Sequence, residues 1–272
     1  MGVLQQKVEV NRDVNKRPFG YRVYQIKGVD KTIVARKGGP SADQIKNADS
    51  YKELRNNQKE FGIASMLSKT LRDSLTSDVS SICETYVSGK LTAKFRNLAK
   101  LEAGETGTRP LFVSKHGHLL NGFEFNSEKP YQSVFDAKYF VKSGQEKGKV
   151  ILHFPAFIPE KTFLYPEGAT NFKIHASLVS LSDYMYSFND GCYYPTCEEE
   201  HGKSAFFESN MLPILKIPTE PITTHISVSK NGKSLNENTG VFLIMGIRFF
   251  KYKNGTFEHL NKHGAMQIRN LD

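Results

Sequence analysis

The part of the chain from residue 111 onward consists of short β-forming segments with no helix-length segment between them. Parallel strands need long crossover connections, usually helical, so this pattern argues against a parallel α/β sheet. It predicts an antiparallel β-sandwich instead. The predicted strands cover residues 119–125, 133–142, 150–154, 172–181, 184–188, 214–217, 223–229, 241–252, 256–260 and 266–269.

Two Asn-Gly dipeptides, Asn231-Gly232 and Asn254-Gly255, mark tight turns in this region. The second dipeptide separates two runs rich in aromatic and alternating residues, which end at Lys253 and begin at Thr256. Asn-Gly between such runs is the strongest local signal for a β-hairpin. We therefore expect a hairpin over residues 249–259.

The first 109 residues carry different signals. Alternating residues 21–27 and 32–36 predict a hairpin, and Ser41 with Gln44 has the spacing of a capping box that begins a short helix. Two apolar stripes then predict a pair of helices between about residues 50 and 101, the second starting near residue 79. The predicted fold is α+β: an N-terminal hairpin and a two-helix segment followed by an antiparallel β-sandwich. Residues 1–109 and 110–272 form either two domains or one integrated unit.

Charge is distributed unevenly along the chain. The net charge of +9 comes entirely from residues 1–150, which carry +10, while the remaining residues carry −1. A basic surface attracts nucleic acid or an acidic protein, although it can equally be an ordinary solvated lysine surface. Lys90, Lys94 and Arg96 on the second predicted helix are the candidate nucleic-acid-binding residues, through phosphate contacts without base preference.

Several classes of protein are disfavoured by composition. Three cysteines are too few for a disulfide scaffold, and no apolar run approaches the ~20 residues of a membrane-spanning helix. The N-terminus lacks the apolar stretch of a signal peptide. We therefore expect a cytoplasmic protein without a membrane partner.

No catalytic motif is present, neither a nucleotide-binding glycine loop nor a serine-hydrolase elbow. Cys192, Cys197 and His201 form the densest group of potential metal ligands, but their spacing is looser than that of a zinc site and no second cysteine pair follows. We interpret them as loop residues and predict no metal, no cofactor and no enzymatic activity.

Self-association is the leading functional prediction. Lys7, Val8, Glu9 and Val10 alternate as a short strand ahead of the main fold, and a terminal strand of this kind pairs readily with an exposed sheet edge. Residues 223–229 are a candidate edge because charge is sparse there. A contact between the basic helices and Glu198, Glu199 and Glu200 of a neighbour is a second route to assembly, and it would generate rings or filaments.

Aromatic residues concentrate around the predicted connection between residues 188 and 212. Their burial within the domain is the ordinary outcome, and a contact surface is the alternative. The members of this group are Tyr184, Tyr186, Tyr193, Tyr194, Phe206 and Phe207. The predicted function is a structural or interaction protein that forms a homo-oligomer, filament or shell, with nucleic-acid binding as the alternative.

The chain resembles a group of uncharacterised proteins from Bacteroidota. The resemblance lies in Lys37-Gly-Gly-Pro-Ser41 and the residues up to Lys46, in residues 55–62 ending in Glu-Phe-Gly, and in residues 71–75. Residues 122–125 and 166–172 fit the same impression. The resemblance implies a bacterial protein folded as one full-length unit, and it assigns no activity to any residue.

Overall fold

The structure, a computed structural model, describes residues 21–25, 31–36, 40–76, 80–229, 233–269 and 271. Contacts divide the chain into two units, residues 1–51 and 52–272. The helical pair and the two larger sheets belong to the second unit. The α+β class is confirmed, with helices and many antiparallel strands.

The first unit contains the predicted hairpin and the predicted capped helix. Strand β1 (Tyr21–Gln25) pairs antiparallel with β2 (Thr32–Arg36). Helix α1 (Ala42–Asn47) begins at Ser41, whose Oγ accepts a hydrogen bond from the backbone N–H of Gln44 at 3.1 Å. The Gln44 side chain accepts one in return from the Ser41 N–H at 2.8 Å. This reciprocal pair satisfies two N–H groups at the helix start and confirms the capping box. A 3-10 turn, Asp49–Tyr51, ends the unit.

Two long helices lie on one face of the second unit. They are α2 (Lys52–Asp73) and α3 (Val87–Ala99). The predicted second helix is interrupted, because residues 81–86 form turns and the Glu84 N–H bonds to the carbonyl of Phe125 instead of a helical partner. The proposed cap at residues 76–78 lies partly outside the described residues.

The remaining helices are single turns, and the strands form two main sheets. The short helices are α4 (Val113–His116), α5 (Tyr131–Val134) and α6 (Pro159–Thr162), with 3-10 turns Gly117–Leu120 and Glu198–Glu200. The strands are β3 (Phe140–Ser143), β4 (Lys149–Phe154), β5 (Asn171–Ser182), β6 (Tyr184–Ser187), β7 (Cys192–Pro195), β8 (Ser204–Glu208), β9 (Leu212–Pro213), β10 (Ile222–Ser227), β11 (Thr239–Lys253), β12 (Thr256–His259) and β13 (Ala265–Arg269).

A large sheet has the order β12-β11-β5-β8, with β13 also paired to β11 and β9 to β5. A small sheet has the order β10-β4-β3, and β6 with β7 forms a separate hairpin. All pairs are antiparallel.

Two hydrophobic cores lie on opposite faces of the large sheet. The helix-side core joins α2 and α3 to the sheet through residues such as Leu67, Phe95 and Phe242, and the rings of Phe95 and Phe242 meet edge to face with centroids 6.3 Å apart. The sandwich core joins the two sheets and includes Leu152 and Ile247. Alternation along β5 and β11 assigns successive side chains to opposite cores. This is the predicted sandwich, with helices covering its second face.

Two predicted strands, residues 119–125 and 214–217, are wrong, and the strand predicted over residues 133–142 is present only from residue 140, where β3 begins. Residues 119–125 form the end of a 3-10 turn and an isolated bridge, and residues 133–139 form the end of α5 and an extended connection before β3. Residues 214–217 have no strand partner and run as irregular chain after β9. The backbone of residues 122–125 bonds to β13 and that of residues 134–136 to residues 162–164, but these contacts form isolated bridges and not strands. Apolar residues alone therefore do not specify a strand at these positions.

Candidate interaction surface

Two edge strands lie side by side at one margin of the sandwich. Among the described residues, β8 pairs only with β5 and β10 pairs only with β4, so each is the last strand of its sheet. The two strands approach each other closely. An edge strand presents backbone N–H and C=O groups to any strand that adds to the sheet. The predicted edge at residues 223–229 is therefore confirmed over β10.

The connection between these strands, residues 209–221, borders an open groove of about 470 Å³. We call it the edge groove; its apolar lining includes Pro159, Phe207, Leu212, Leu215, Ile217 and Ile222. Leu215 and Ile217 are 45% and 63% exposed, which is high for large aliphatic side chains. Glu208 and Glu220 also line the groove. The edge groove thus combines apolar surface, carboxylates and two strand edges.

Backbone hydrogen bonds fix the wall of the edge groove to the large sheet and to the connection that follows β4. The Ser209 N–H donates to the carbonyl of Ile174 on β5, and the Ser209 hydroxyl accepts from the Ile174 N–H at 2.9 Å. On the other side, the Thr219 N–H donates to the carbonyl of Phe157 at 2.8 Å. Because both ends are anchored, the groove exists before any partner arrives, which lowers the entropic cost of binding.

Glu208 is held by two cations of the large sheet. Its carboxylate accepts hydrogen bonds from Lys173, at 2.5 Å, and from Arg248. Burial raises the pKa of Glu208, but the Lys173 hydrogen bond and the Arg248 charge outweigh it and hold that pKa below its ordinary value. Glu208 therefore stays ionised at neutral pH beside the groove.

A buried histidine lies next to this ion network. His175 is fully buried on β5, its Nε2 lies 2.6 Å from the Ser177 hydroxyl, and Phe206 stacks over its ring. Burial and then the Arg248 charge lower the pKa of His175 to about 4. A Ser–His contact at this distance resembles a nucleophile with its base. Both side chains are shielded from solvent, however, so we assign the pair to structure. Sequence reasoning missed this cluster, although a polar pair at i, i+2 in an apolar strand was visible.

The candidate nucleic-acid residues do not share one face. Lys90 forms an ion pair with Glu84 at 2.6 Å and also donates to the Ser127 hydroxyl. Lys94 is exposed one turn further along the helix. Arg96 lies on another side, where its guanidinium donates to the Asn57 side chain of α2 at 2.7 Å. Much of the positive charge expected on this helix is thus used within the fold.

The acidic residues predicted to mediate self-association also differ in whether their charge is exposed or used within the fold. Glu198 and Glu199 are exposed on the 3-10 turn. Glu200 is turned inward, where its carboxylate accepts from the Asn236 N–H and from the Thr239 hydroxyl at 2.6 Å. Lys7, Val8, Glu9 and Val10 lie outside the described residues.

Cys192, Cys197 and His201 have separate environments. Cys192 is exposed and Cys197 is half-buried. Nδ1 of His201 accepts from the Ser182 N–H, while its Nε2 lies 3.3 Å from the Tyr184 hydroxyl. Burial lowers the pKa of His201. The described part of the chain contains no group of three His, Cys, Asp or Glu residues arranged to hold a metal ion.

The aromatic residues around the connection between residues 188 and 212 divide into buried and exposed side chains. Tyr184 is buried in the helix-side core, Tyr193 packs against that core, and Phe207 packs against the sandwich core. Tyr194 and Phe206 remain exposed. The connection that carries them is more regular than expected, because it contains β7 and β8.

No protein-family model, curated protein or solved structure matches the chain in the comparisons made with known proteins. Within the described residues, no helix is both long enough and apolar enough to cross a bilayer. The fold defines an α+β protein with a β-sandwich-like part, and function has to be argued from its surfaces.

Proposed function

We propose that this protein is a non-enzymatic structural or interaction protein that assembles with copies of itself. The observation that carries the proposal is the free edge of β10 beside the edge groove. Exposed Leu215 and Ile217 give an added strand apolar surface to cover, and the backbone edge gives it hydrogen-bond partners. Such a surface suits an extended peptide better than a small molecule.

The N-terminal segment of a neighbouring copy has the sequence to occupy this surface. In Lys7-Val-Glu-Val10 the two valines alternate with charged residues, so in an extended strand they share one face. Residues 1–20 carry four cations and two carboxylates, and the edge groove carries exposed Glu220, whereas Glu208 is already paired with Lys173 and Arg248. Apolar contact therefore favours this pairing, and Glu220 adds an acidic partner for the basic segment.

A head-to-tail contact through Glu198 and Glu199 is the secondary route to assembly. These two carboxylates are exposed, and the basic helical region of another copy supplies opposite charge. Such a contact involves two different surfaces, so it propagates into rings or filaments. Each exposed ion pair contributes little binding free energy, so we expect this contact to set the relative orientation of the copies more than their affinity.

Light scattering after size-exclusion chromatography tests the proposal. Full-length protein should be oligomeric, and deletion of residues 1–12 should leave a folded protein of lower mass. Val8→Lys with Val10→Lys should reproduce the deletion, as should Ile217→Lys on the groove. The matched control, Glu9→Gln, changes the opposite face of the same strand and should keep the assembly intact. A monomeric full-length protein at high concentration would refute self-assembly.

A further inference from the structure

We propose that the β11–β12 hairpin is a binding site for single-stranded nucleic acid, separate from the assembly surface. The predicted hairpin at Asn254-Gly255 is present, with positive φ at both turn residues. Pairing between β11 and β5 ends at Phe250, whereas pairing between β11 and β12 runs from Phe250 to Lys253. Residues 251–256 therefore extend past β5 as a two-stranded ribbon, which is held at its base because the Tyr252 N–H donates to Oγ1 of Thr170 at 2.8 Å.

One face of this ribbon carries an open aromatic pair. Tyr252 and Phe257 are directly opposite each other in the ladder, with ring centroids 4.9 Å apart, and they are 53% and 46% exposed. The neighbouring pair on the same face is Phe250 with His259, with centroids 5.1 Å apart. Phe250 is buried and His259 is half-buried, so the exposed rings of Tyr252 and Phe257 are the surface on which a base can stack, since every base has a planar π-face.

Cations surround the exposed pair of Tyr252 and Phe257. Lys251 and Lys253 are exposed on the strand, and Lys262 is exposed just after β12. Arg248 lies over the Phe250 ring at 5.4 Å. Arg248 is itself buried and bonded to Glu208, so the exposed cations of the ribbon are the three lysines, which stand against one carboxylate, Glu258, between residues 251 and 263. The two strands of the ribbon lie about 5 Å apart, so the ribbon is narrow. The lysine side chains can therefore reach around it to the phosphates of a nucleic-acid chain whose bases stack on the opposite, aromatic face.

The combination favours nucleic acid over a protein partner. Interface cores between proteins are enriched in aromatics but depleted in lysine, whereas single-strand binding surfaces need both. The ribbon also differs from helix α3, where Lys90 is ion-paired with Glu84 and Arg96 is bonded to Asn57. We therefore assign nucleic-acid binding to the ribbon and not to helix α3.

Fluorescence anisotropy with labelled dT20 and U20 tests the site on the full chain. Lys251→Glu with Lys253→Glu should weaken binding at least tenfold, and neutral Lys251→Gln with Lys253→Gln should reduce the salt slope by about 1.4. Tyr252→Thr with Phe257→Val keeps strand-forming residues but removes the rings, and should also weaken binding about tenfold. Circular dichroism checks that each variant is folded.

The matched control is the triple variant Lys90→Glu, Lys94→Glu and Arg96→Glu, which should bind dT20 as the parent does. Four results would overturn the proposal: no binding at micromolar protein, loss of binding only in the triple variant, a preference for duplex DNA, or ring removal that changes the oligomer mass and leaves dT20 affinity intact. The last result would make the ribbon an interface between copies.

Discussion

Acid should destabilise this protein through His175 before most carboxylates titrate. The ring is fully buried, and its charged form would lie beside the Arg248 guanidinium. Burial and that charge lower the pKa of His175 from 6.5 to about 4. In the unfolded chain the ring regains its ordinary pKa. At a pH between these two pKa values, His175 binds a proton in the unfolded state but not in the folded state.

The size of the effect follows from linkage. Stability rises with pH wherever the unfolded state binds more protons, so the His175 contribution is complete at neutral pH and is lost as pH falls below 6.5. Each pH unit inside the window costs up to about 1.4 kcal/mol. Lowering the pH from 7 to 5 should therefore remove about 2 kcal/mol of unfolding free energy. Carboxylates with lowered pKa, such as Glu84 and Glu208, lose stability only at lower pH.

Urea unfolding followed by far-ultraviolet circular dichroism at pH 7 and pH 5 measures this loss. His175→Gln should be less stable at pH 7 but should lose about 2 kcal/mol less than the parent between the two pH values. His118→Gln, at an exposed histidine, is the matched control and should behave as the parent. Burial lowers the pKa of His201 in all three proteins alike, so its contribution cancels in the comparison. An equal loss in His175→Gln, or a ring pKa near 6.5 by nuclear magnetic resonance of the parent, would refute the reasoning.

Three further stability and reactivity predictions can be checked by standard measurements. Phe95→Ala should cost about 3–5 kcal/mol of unfolding free energy because the ring is fully buried between α3 and the large sheet; a loss below about 1 kcal/mol in urea would contradict that packing. Gly62→Ala should raise the free energy of unfolding by about 0.5–1 kcal/mol, because Gly62 lies within α2 and nothing lies within 4 Å of the added carbon. Gly107→Ala should instead lower the free energy of unfolding by at least about 1 kcal/mol, because Gly107 has φ +92° and the added carbon would lie 2.7 Å from the Asn56 Cα. Iodoacetamide at pH 8 should modify exposed Cys192 well before Cys83, whose pKa burial raises to about 11; mass spectrometry showing equal rates would contradict this.

Local signals in the sequence identified much of the fold correctly. The apolar stripe of α2, the capping box at Ser41 and the turn at Asn254-Gly255 each depend on neighbouring residues alone, and all three are present. The sequence-based predictions are wrong where contacts between residues distant in the chain determine the local structure. Glu84 bonds to Phe125 and interrupts the second helix, and apolar residues 214–217 find no strand partner.

The candidate surfaces were less predictable than the fold. Sparse charge predicts an edge at residues 223–229, and β10 is the last strand of its sheet there. The apolar residues 214–217 predict a strand but form part of the wall of the edge groove, because composition cannot show whether a ladder partner exists. The ion pair of Lys90 and the inward turn of Glu200 depend on residues distant in sequence. Those contacts decide which charges remain available to a partner.

The two proposed sites lie at opposite edges of the large sheet, because β8 and β12 are its two ends. A neighbour that adds a strand beside β10 and β8 therefore leaves the β11–β12 ribbon open. Assembly would then place several ribbons on one particle, and a long strand could bind more than one of them. Deletion of residues 1–12 should leave the affinity for dT20 per chain unchanged and reduce the apparent affinity for a much longer oligothymidine. Anisotropy with both lengths measures this, and an equal loss for both would mean that the two sites are not independent.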